Sequence, residues 1–499
     1  MKMSISIKIK KPYPLVALHE ALSGPSLNEG KRKFFGQNPL KIGKKAKYVL
    51  SIALVVVMLV SIFAFFPKGD QKIPVILPQS TNSSTASPTA VPQTTSQPSP
   101  SDPFSQISRF MSGFGDTVAQ AVTPRAPGTI ESGQIMNSTV WRQVAANAWQ
   151  YFQPGVGVDS TTGLPNSGMG VPYFTDWDLG VYIQAVLDAT KLGLIDMNGS
   201  WGFNARIDKV LTFLENRELN ATTGYPYWFY QSIDGKDYHA NSDQSTNLVD
   251  GVDTGRLFVA LNNIRLFNSS VTPRINNIVY NRSNYSALVP GIYAESRYST
   301  SIYTYYFDCG YASFWPNQLS DATNTILNNI RLAGNVTTSQ NVSLPLAAIL
   351  GDPLLCSVFE TSNNSQLMSI SYQVYLAHEA YYNSTGQYRA FSEGPSLSTH
   401  WTYEWVVLPD NRTWAILDES YNKFDITPII YTKIAIGFLA LYNTTYAYNM
   451  CVYLEKNLPP PANGYSDGVD ENGAQLSGTG LNTNGMIMGA ARYALTNNP

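Results

Sequence analysis

From about residue 135 to the C-terminus, apolar residues return at intervals of three and four. Ile207, Val210, Leu211 and Leu214 occupy i, i+3, i+4 and i+7, one face of an amphipathic helix. The same periodicity predicts helices over 138–152, 178–192, 203–216, 254–267, 321–333, 365–382, 428–442, 444–456 and 482–495, with weaker signals at 270–280 and 306–314. Thr427 followed by Pro428 predicts an N-cap with proline at the first helical position, where a missing N–H costs nothing. Gly193 predicts a left-handed stop for the helix before it. The connections alternate between short turns and long polar segments, notably 153–176, 220–251, 384–424 and 458–480. Such alternation fits helices that run outward and inward around a ring. The long loops then gather at the N-terminal ends of the inner helices, where free N–H groups favour anions and polar ligands.

Residues 48–66, YVLSIALVVVMLVSIFAFF, follow another pattern: nineteen residues without a charge. At helical rise they match the roughly 30 Å of bilayer hydrocarbon and are expected to span a membrane. The run is too long, and preceded by too many residues, for a cleaved signal peptide. Eleven Lys or Arg precede it against Glu20 and Glu29, which predicts a cytoplasmic tail over 1–47. A linker is expected over 67–134, because 78–103 is a Ser/Thr/Pro/Gln-rich stretch with too little apolar surface to fold by itself. The remainder, 135–499, forms the external domain of a single-pass cell-membrane protein in this reading.

Charge and chemistry agree with that division. Beyond residue 47 the chain carries a formal charge of −11, which argues against a nucleic-acid partner. Thirteen N-x-Ser/Thr sequons lie beyond the apolar run and none before it. Asn137, Asn198, Asn220, Asn268, Asn281, Asn335, Asn383, Asn411 and Asn443 are the expected glycosylation positions. Cys309, Cys356 and Cys451 permit one disulfide, for instance Cys309 with Cys356. No two histidines stand at metal-pair spacing, and His378 reads as a packed or surface residue.

The long loops are rich in acids and aromatics. Asp176 and Asp178 stand in TDWDLG, Asp250 and Asp253 in VDGVDTGRL, Glu393 in SEGPS, Glu404 in TYEWVV, and Asp467, Asp470 and Glu471 in GYSDGVDENG. Among them stand Trp177, Trp228, Trp315, Trp401, Tyr403 and Trp405. Sugar rings pack C–H faces on aromatic rings, and glycosidic cleavage needs two carboxyl groups, one protonated and one ionised. Each acid also has a structural use. Asp176 or Asp178 suits a helix cap, Asp253 an ion pair with Arg256, and Asp467 with Glu471 a cation site. Glu393, amid Ser, Gly and Pro, has no helix to stabilise.

Six strings occur in an order that resembles the family known as domain of unknown function 3131: TTGLPNS, TDWDLGVYIQAVLDATKLGLID, VDTGRLFVAL, SEGPS with YEWV, TPIIYTKIAIGFLALYNTTYA and TNGMIMGAARYAL. The resemblance covers about 135–497 and implies an all-α, glucoamylase-like (α/α)6 toroid. By analogy with such toroids it implies a glycoside hydrolase acting on polysaccharide or glycan, and no cofactor or metal is expected. The base is expected late in the chain, at Asp467 or Glu471, and the acid at Glu393 or else Glu404. Asp178, Asp253 and the aromatics would bind sugar. Gly489 stands where the family often has an acid. A non-catalytic carbohydrate-binding or envelope glycoprotein is the alternative, and a polysaccharide lyase a third reading.

Overall fold

The computed structural model describes residues 137–238, 248–362, 364–398, 401–418 and 420–496. The tail, the apolar span and the linker expected over 1–134 lie outside the described residues. Among those described, no helix is long and apolar enough to cross a membrane.

The chain alternates between outer and inner helices. In order these are α1 (Ser138–Trp149), α2 (Asp176–Lys191), α3 (Phe203–Asn216), α4 (Gly251–Phe267), α5 (Thr272–Asn277), α6 (Val289–Ser296), α7 (Ile302–Phe314), α8 (Pro316–Leu319), α9 (Ala322–Leu332), α10 (Gly351–Glu360), α11 (Ser365–Thr385), α12 (Thr432–Tyr442), α13 (Thr445–Asn457) and α14 (Leu481–Thr496). Helix α2 packs on α4, α4 on α7, α7 on α10, α10 on α12, α12 on α14 and α14 back on α2, so the inner helices close a ring. The amphipathic helices α1, α3, α5, α9, α11 and α13 lie outside it, and the fold is an (α/α)6 toroid.

Inner helices are apolar around most of their circumference because they touch neighbours on both sides and an outer helix behind. All ten residues of α10 are buried. That explains why periodicity did not reveal it: a helix wrapped on every side has no polar face to set the period. Helix α6 was missed as well. The helices at 306–314 and 270–280 are present, the former extended to Ile302 and the latter short and continued by a π turn over Ile278–Arg282.

Buried ion pairs brace the ring. Arg256 of α4 reaches Glu360 at the end of α10 (2.5 Å), Arg492 of α14 reaches Asp188 of α2 (2.6 Å), and Arg217 reaches Asp176 at the start of α2 (2.5 Å). The Arg256 guanidinium also lies over the Trp177 and Tyr306 rings, joining α4 to α2 and α7. Breaking such a pair from one side leaves a charge without water or counterion, which typically costs several kcal/mol.

Several expectations are corrected. Thr427 and Pro428 do not cap a helix. Short strands punctuate the loops: β1 (Tyr173–Phe174) pairs antiparallel with β2 (Tyr230–Gln231) and β3 (Asn335–Thr337) with β4 (Ser343–Pro345). Ile429–Tyr431 is likewise a strand, β8, paired antiparallel with β9 (Gly468–Asp470), so that α12 begins at Thr432. A partner some forty residues away overrode the local signal. The segment 384–424 is not an irregular loop, because β5 (Glu393–Gly394), β6 (Thr402–Val407) and β7 (Thr413–Leu417) form an antiparallel sheet within it. All three cysteines are free, so Cys309 and Cys356 do not pair. Gly193 does adopt the left-handed conformation (φ 71°) just after α2.

Candidate active site

The loops that precede the inner helices share one face of the ring. There Thr175 caps α2 in a capping box: its hydroxyl accepts the Asp178 N–H, and its own N–H donates to Asp178 Oδ2 (3.0 Å). Asp250 caps α4 by accepting the Asp253 N–H (2.8 Å), and Ser301 caps α7. These caps aim the first turns of α2, α4 and α7 at a common cleft. Helices α10 and α12 have no side-chain cap and carry in their first turns a pair instead. Lys433 Nζ lies 2.7 Å from Asp352 Oδ2 and 2.8 Å from the carbonyl oxygen of Glu393.

That pair builds the floor of the site. Asp352 also accepts Ser392 Oγ (2.8 Å) and Asn482 Nδ2 (2.6 Å). The residue before Lys433, Thr432, donates its N–H to the Asp467 carbonyl (3.0 Å). Glu393 and Asp467 are therefore both fixed to the first turn of α12. From Asp467 the network continues to Asp178. Gly480 N–H (3.1 Å) and Thr483 Oγ1 (2.5 Å) donate to Asp467 Oδ1, Leu481 N–H donates to the Ser167 carbonyl, and the Ser167 hydroxyl donates to Asp178. A Cβ on Gly480 would stand 2.7 Å from Asp467 Oδ1 and one on Gly478 2.4 Å from Oδ2, so only glycine lets the loop wrap this carboxylate.

Electrostatics separate these acids. Burial, reinforced by the Asp352 charge, pushes Glu393 up to about 7, against opposing help from Lys433, Tyr303 and Trp401. Burial also raises Asp467, while the Thr483 hydroxyl, Lys433 and the Gly480 N–H favour its ionised form. Asp178 is raised by burial and restrained by its Ser167 and Thr175 hydrogen bonds. Asp253 is raised well above the usual range by burial and by the charges of Asp250 and Asp178. The Tyr403 phenol is raised mainly by burial, with the charge of Glu393 next and those of Asp253 and Asp250 adding to it.

The structure thus brings together Asp178, Asp253, Glu393 and Asp467, and sets others aside. Glu471 is held by Arg389 at 2.6 Å. Glu404, fully buried, accepts the Ile429 N–H (2.7 Å) and fastens β6 to β8. Glu393 itself sits in strand β5 opposite Tyr403 rather than in a tight turn. Asp253 does not pair with Arg256, whose partner is Glu360; it accepts the Trp228 indole N–H (3.1 Å). Trp228 and Trp401 are exposed (37% and 44%), and Tyr403 is half-buried against Tyr421. Trp177 is buried among Tyr303, Tyr306 and Arg256, and Trp405 is enclosed by Tyr303, Tyr403 and Tyr421. Trp315 follows α7, packed on Phe258 at the end opposite the loop face, and does not line the cleft.

No group of three His, Cys, Asp or Glu among the described residues is disposed to hold a metal ion, so Asp467 and Glu471 do not form the cation loop that SDGVDENG suggested. His378 is buried; its Nδ1 lies 2.8 Å from the Val374 carbonyl and its Nε2 accepts the Phe391 N–H. Gly489 faces Phe359 and Asp188 inside the ring. Asn137, Asn198, Asn281, Asn335, Asn383 and Asn411 are exposed, whereas Asn220, Asn268 and Asn443 are half-buried. The Asn443 side-chain oxygen is enclosed. Sequence reasoning missed Asp352, Lys433, Tyr303 and Ser167. A lysine inside the apolar run PIIYTKIAIGF was the available signal, because such a charge must be paired if buried.

The toroid recurs in solved structures. An endo-β-1,2-glucanase from Chitinophaga pinensis, solved with sophorotriose and glucose, matches with a TM-score of 0.53 and 13% identity, over 72% of this chain and 93% of that one. A candidate glucoamylase from Bacteroides caccae gives 0.53 and 14%, over 72% and 94%. Another from Bacteroides uniformis gives 0.51 and 13%, over 73% and 93%. At such identities the likeness is one of fold. No curated protein matches the chain. The sequence itself matches a family over residues 143–497, most of its length, and the chain therefore belongs to the family described as protein of unknown function (DUF3131).

Proposed function

We propose that the chain is a membrane-anchored glycoside hydrolase whose domain faces the cell exterior. The observation that carries the catalytic reading is the anchoring of Glu393 and Asp467, two residues with buried carboxyl groups, through their main-chain carbonyl oxygens to successive residues of α12, while among the described residues neither carboxyl group is in a salt bridge to lysine or arginine. Glu393, poised at about 7, keeps a substantial protonated fraction near neutral pH and donates its proton to the departing glycosidic oxygen. Asp467 has Oδ1 fixed by two donors while Oδ2 has no hydrogen-bond partner among the described residues, and it accepts a proton from the water that attacks the anomeric carbon. Asp178 and Asp253 take sugar hydroxyls, and Trp228 and Trp401 offer aromatic faces. Glu404 and Glu471 have no catalytic part in this scheme. Similarity of fold to the named glucanase is consistent with a glycan ligand.

A non-catalytic carbohydrate-binding role is the second reading, favoured by Asp178, whose carboxylate is already committed to a helix cap and to Ser167. The two separate on one experiment: full-length protein, Glu393→Gln and Asp467→Asn are incubated with a glycan panel and new reducing ends are counted. Hydrolysis by the parent and its loss in both variants supports the enzyme. Binding without hydrolysis by the parent supports the binder, and equal hydrolysis by all three removes these two residues from the mechanism. Membrane anchoring through 48–66, with 1–47 inside, is tested by protease protection of intact cells. A domain cleaved only after lysis overturns the proposed orientation.

A further inference from the structure

One face of the β5–β7 sheet joins the candidate acid to an inner helix. Glu393 lies directly opposite Tyr403 across the β5–β6 pair, and residues directly opposite project to the same side of a sheet. Trp405, two positions further along β6, shares that side, and its ring stacks with that of Tyr403 at 6.4 Å. Tyr303, in the first turn of α7, closes over this face. Its ring meets Trp405 edge-on at 6.2 Å and Trp177 of α2 at 6.2 Å, and the Ser301 hydroxyl accepts its N–H (3.2 Å). Two rings and a helix cap therefore fix a side chain that is 7% exposed.

The Tyr303 hydroxyl is wholly enclosed and makes no hydrogen bond of regular geometry to any described residue. After burial itself, the charge of Glu393 bears on this phenol more than any other group does, and both keep it protonated. Other groups that face Glu393 are differently occupied. Lys433 holds Asp352 and the Glu393 carbonyl oxygen rather than its carboxyl, and the Asp352 charge opposes ionisation. Trp401 favours the ionised form, from a ring 44% exposed. A buried donor without a partner is destabilising, and so is a buried carboxylate. As Glu393 gives its proton to the glycosidic oxygen and the anomeric C–O bond breaks, the second cost arises beside the first, and one hydrogen bond relieves both. An interaction made only as charge develops lowers the barrier without tightening substrate binding.

We infer that Tyr303 is a positioning residue of the reaction: its hydroxyl keeps its own proton and donates a hydrogen bond to the carboxylate that Glu393 becomes on protonating the leaving oxygen. This rests on the reading of Glu393 as the acid, and goes beyond it by naming the group that receives the new charge. The test compares full-length protein with Tyr303→Phe, which removes only the hydroxyl, and with protein carrying 3-fluorotyrosine at position 303, a more acidic phenol of nearly the same shape. Each is read in two ways: by hydrolysis, across pH, of the glycan that the parent cleaves, and by the infrared band of the protonated Glu393 carboxyl without substrate, assigned by its loss in Glu393→Gln. A carboxyl band excludes His400, which stands beside Trp401 in sequence, outside the described residues.

Tyr303→Phe is expected to lower kcat about ten- to hundredfold, as loss of a hydrogen bond to a charged group does, with KM within about twofold. The infrared midpoint and the alkaline limb of the rate, at about 7 in the parent, should both move to higher pH, because a donor to the carboxylate is lost. The fluorinated phenol, a stronger donor, should move both to lower pH, and it decides alone if the phenylalanine variant does not fold. A structural role would move neither. Midpoint and limb unmoved by both replacements overturn the inference while leaving hydrolysis standing. Hydrolysis by Glu393→Gln at the parent's rate, or a parent that cleaves no glycan, removes the acid reading and the inference with it.

Discussion

Lys433 and Asp352 face each other at 2.7 Å from the first turns of two neighbouring inner helices, and neither side chain reaches solvent. A lysine at a helix N-terminus opposes the helix dipole, so its place is explained by the anion across from it.

Lys433→Met removes the cation and leaves Asp352 buried alone. The expected loss is about 3–5 kcal/mol, the usual cost of orphaning a buried charge. Urea unfolding of Lys433→Met should show it, and the double variant with Asp352→Asn should recover most of it. A single variant as stable as the parent would show that the pair contributes nothing to folding.

Glu393 makes a pH prediction whose sign is fixed by its raised value. Protonation is favoured in the folded state, so its contribution to stability is complete below about 4.5 and is lost as pH rises through about 7. Glu393→Gln should flatten the decline of stability between these values. If Glu393 is the acid, the parent's hydrolytic rate should fall with a limb near 7, and Glu393→Gln should lower kcat by about 10²–10⁴. A rate unchanged up to pH 9 would exclude it.

Glu404 is the control. Burial raises it well above the carboxylate range, and one oxygen accepts the Ile429 N–H while the other has no partner among the described residues. Glutamine keeps that acceptor, so Glu404→Gln should leave folding and any hydrolysis within about twofold. Alanine opens a void and strands a donor, at about 1–3 kcal/mol. Loss of turnover in Glu404→Gln with stability intact would return this residue to the candidate catalytic pair.

Trp228→Ala should weaken glycan affinity by about 1–3 kcal/mol with little effect on melting temperature, since the indole is partly exposed and touches the ring mainly through Asp253. Intrinsic fluorescence quenching by glycan, lost in the variant, is the direct readout. Undiminished affinity would take Trp228 out of the cleft.

What could be read from the chain follows from where each signal is stored. The outer helix over 203–216 was legible to its ends because one face is wet and the other dry, and the structure places α3 at Phe203–Asn216. The enclosed α10 was not legible, nor was β8, whose partner is supplied by Val469 and its neighbours. The acids at 178, 253, 393 and 467 were found because they stand in or beside the long polar connections, although Asp178 and Asp253 belong to the first turns of α2 and α4 and Glu393 to β5, and their roles were set by residues distant in sequence. Glu471 and Glu404 looked as suitable until Arg389 and Ile429 were seen to occupy them. Asp352 meets Lys433 across 81 positions, and no local pattern announces such a meeting.

Thr432 and Lys433 are consecutive, and each grips one of the two carboxyl-bearing segments. The interval between those segments is thereby gauged by one peptide unit and one buried lysine side chain rather than by the circumference of the ring. If neighbouring helices slide or the ring breathes, both segments travel with the same helix tip, so their separation tolerates changes elsewhere in the wall that would ruin a site assembled from independent struts.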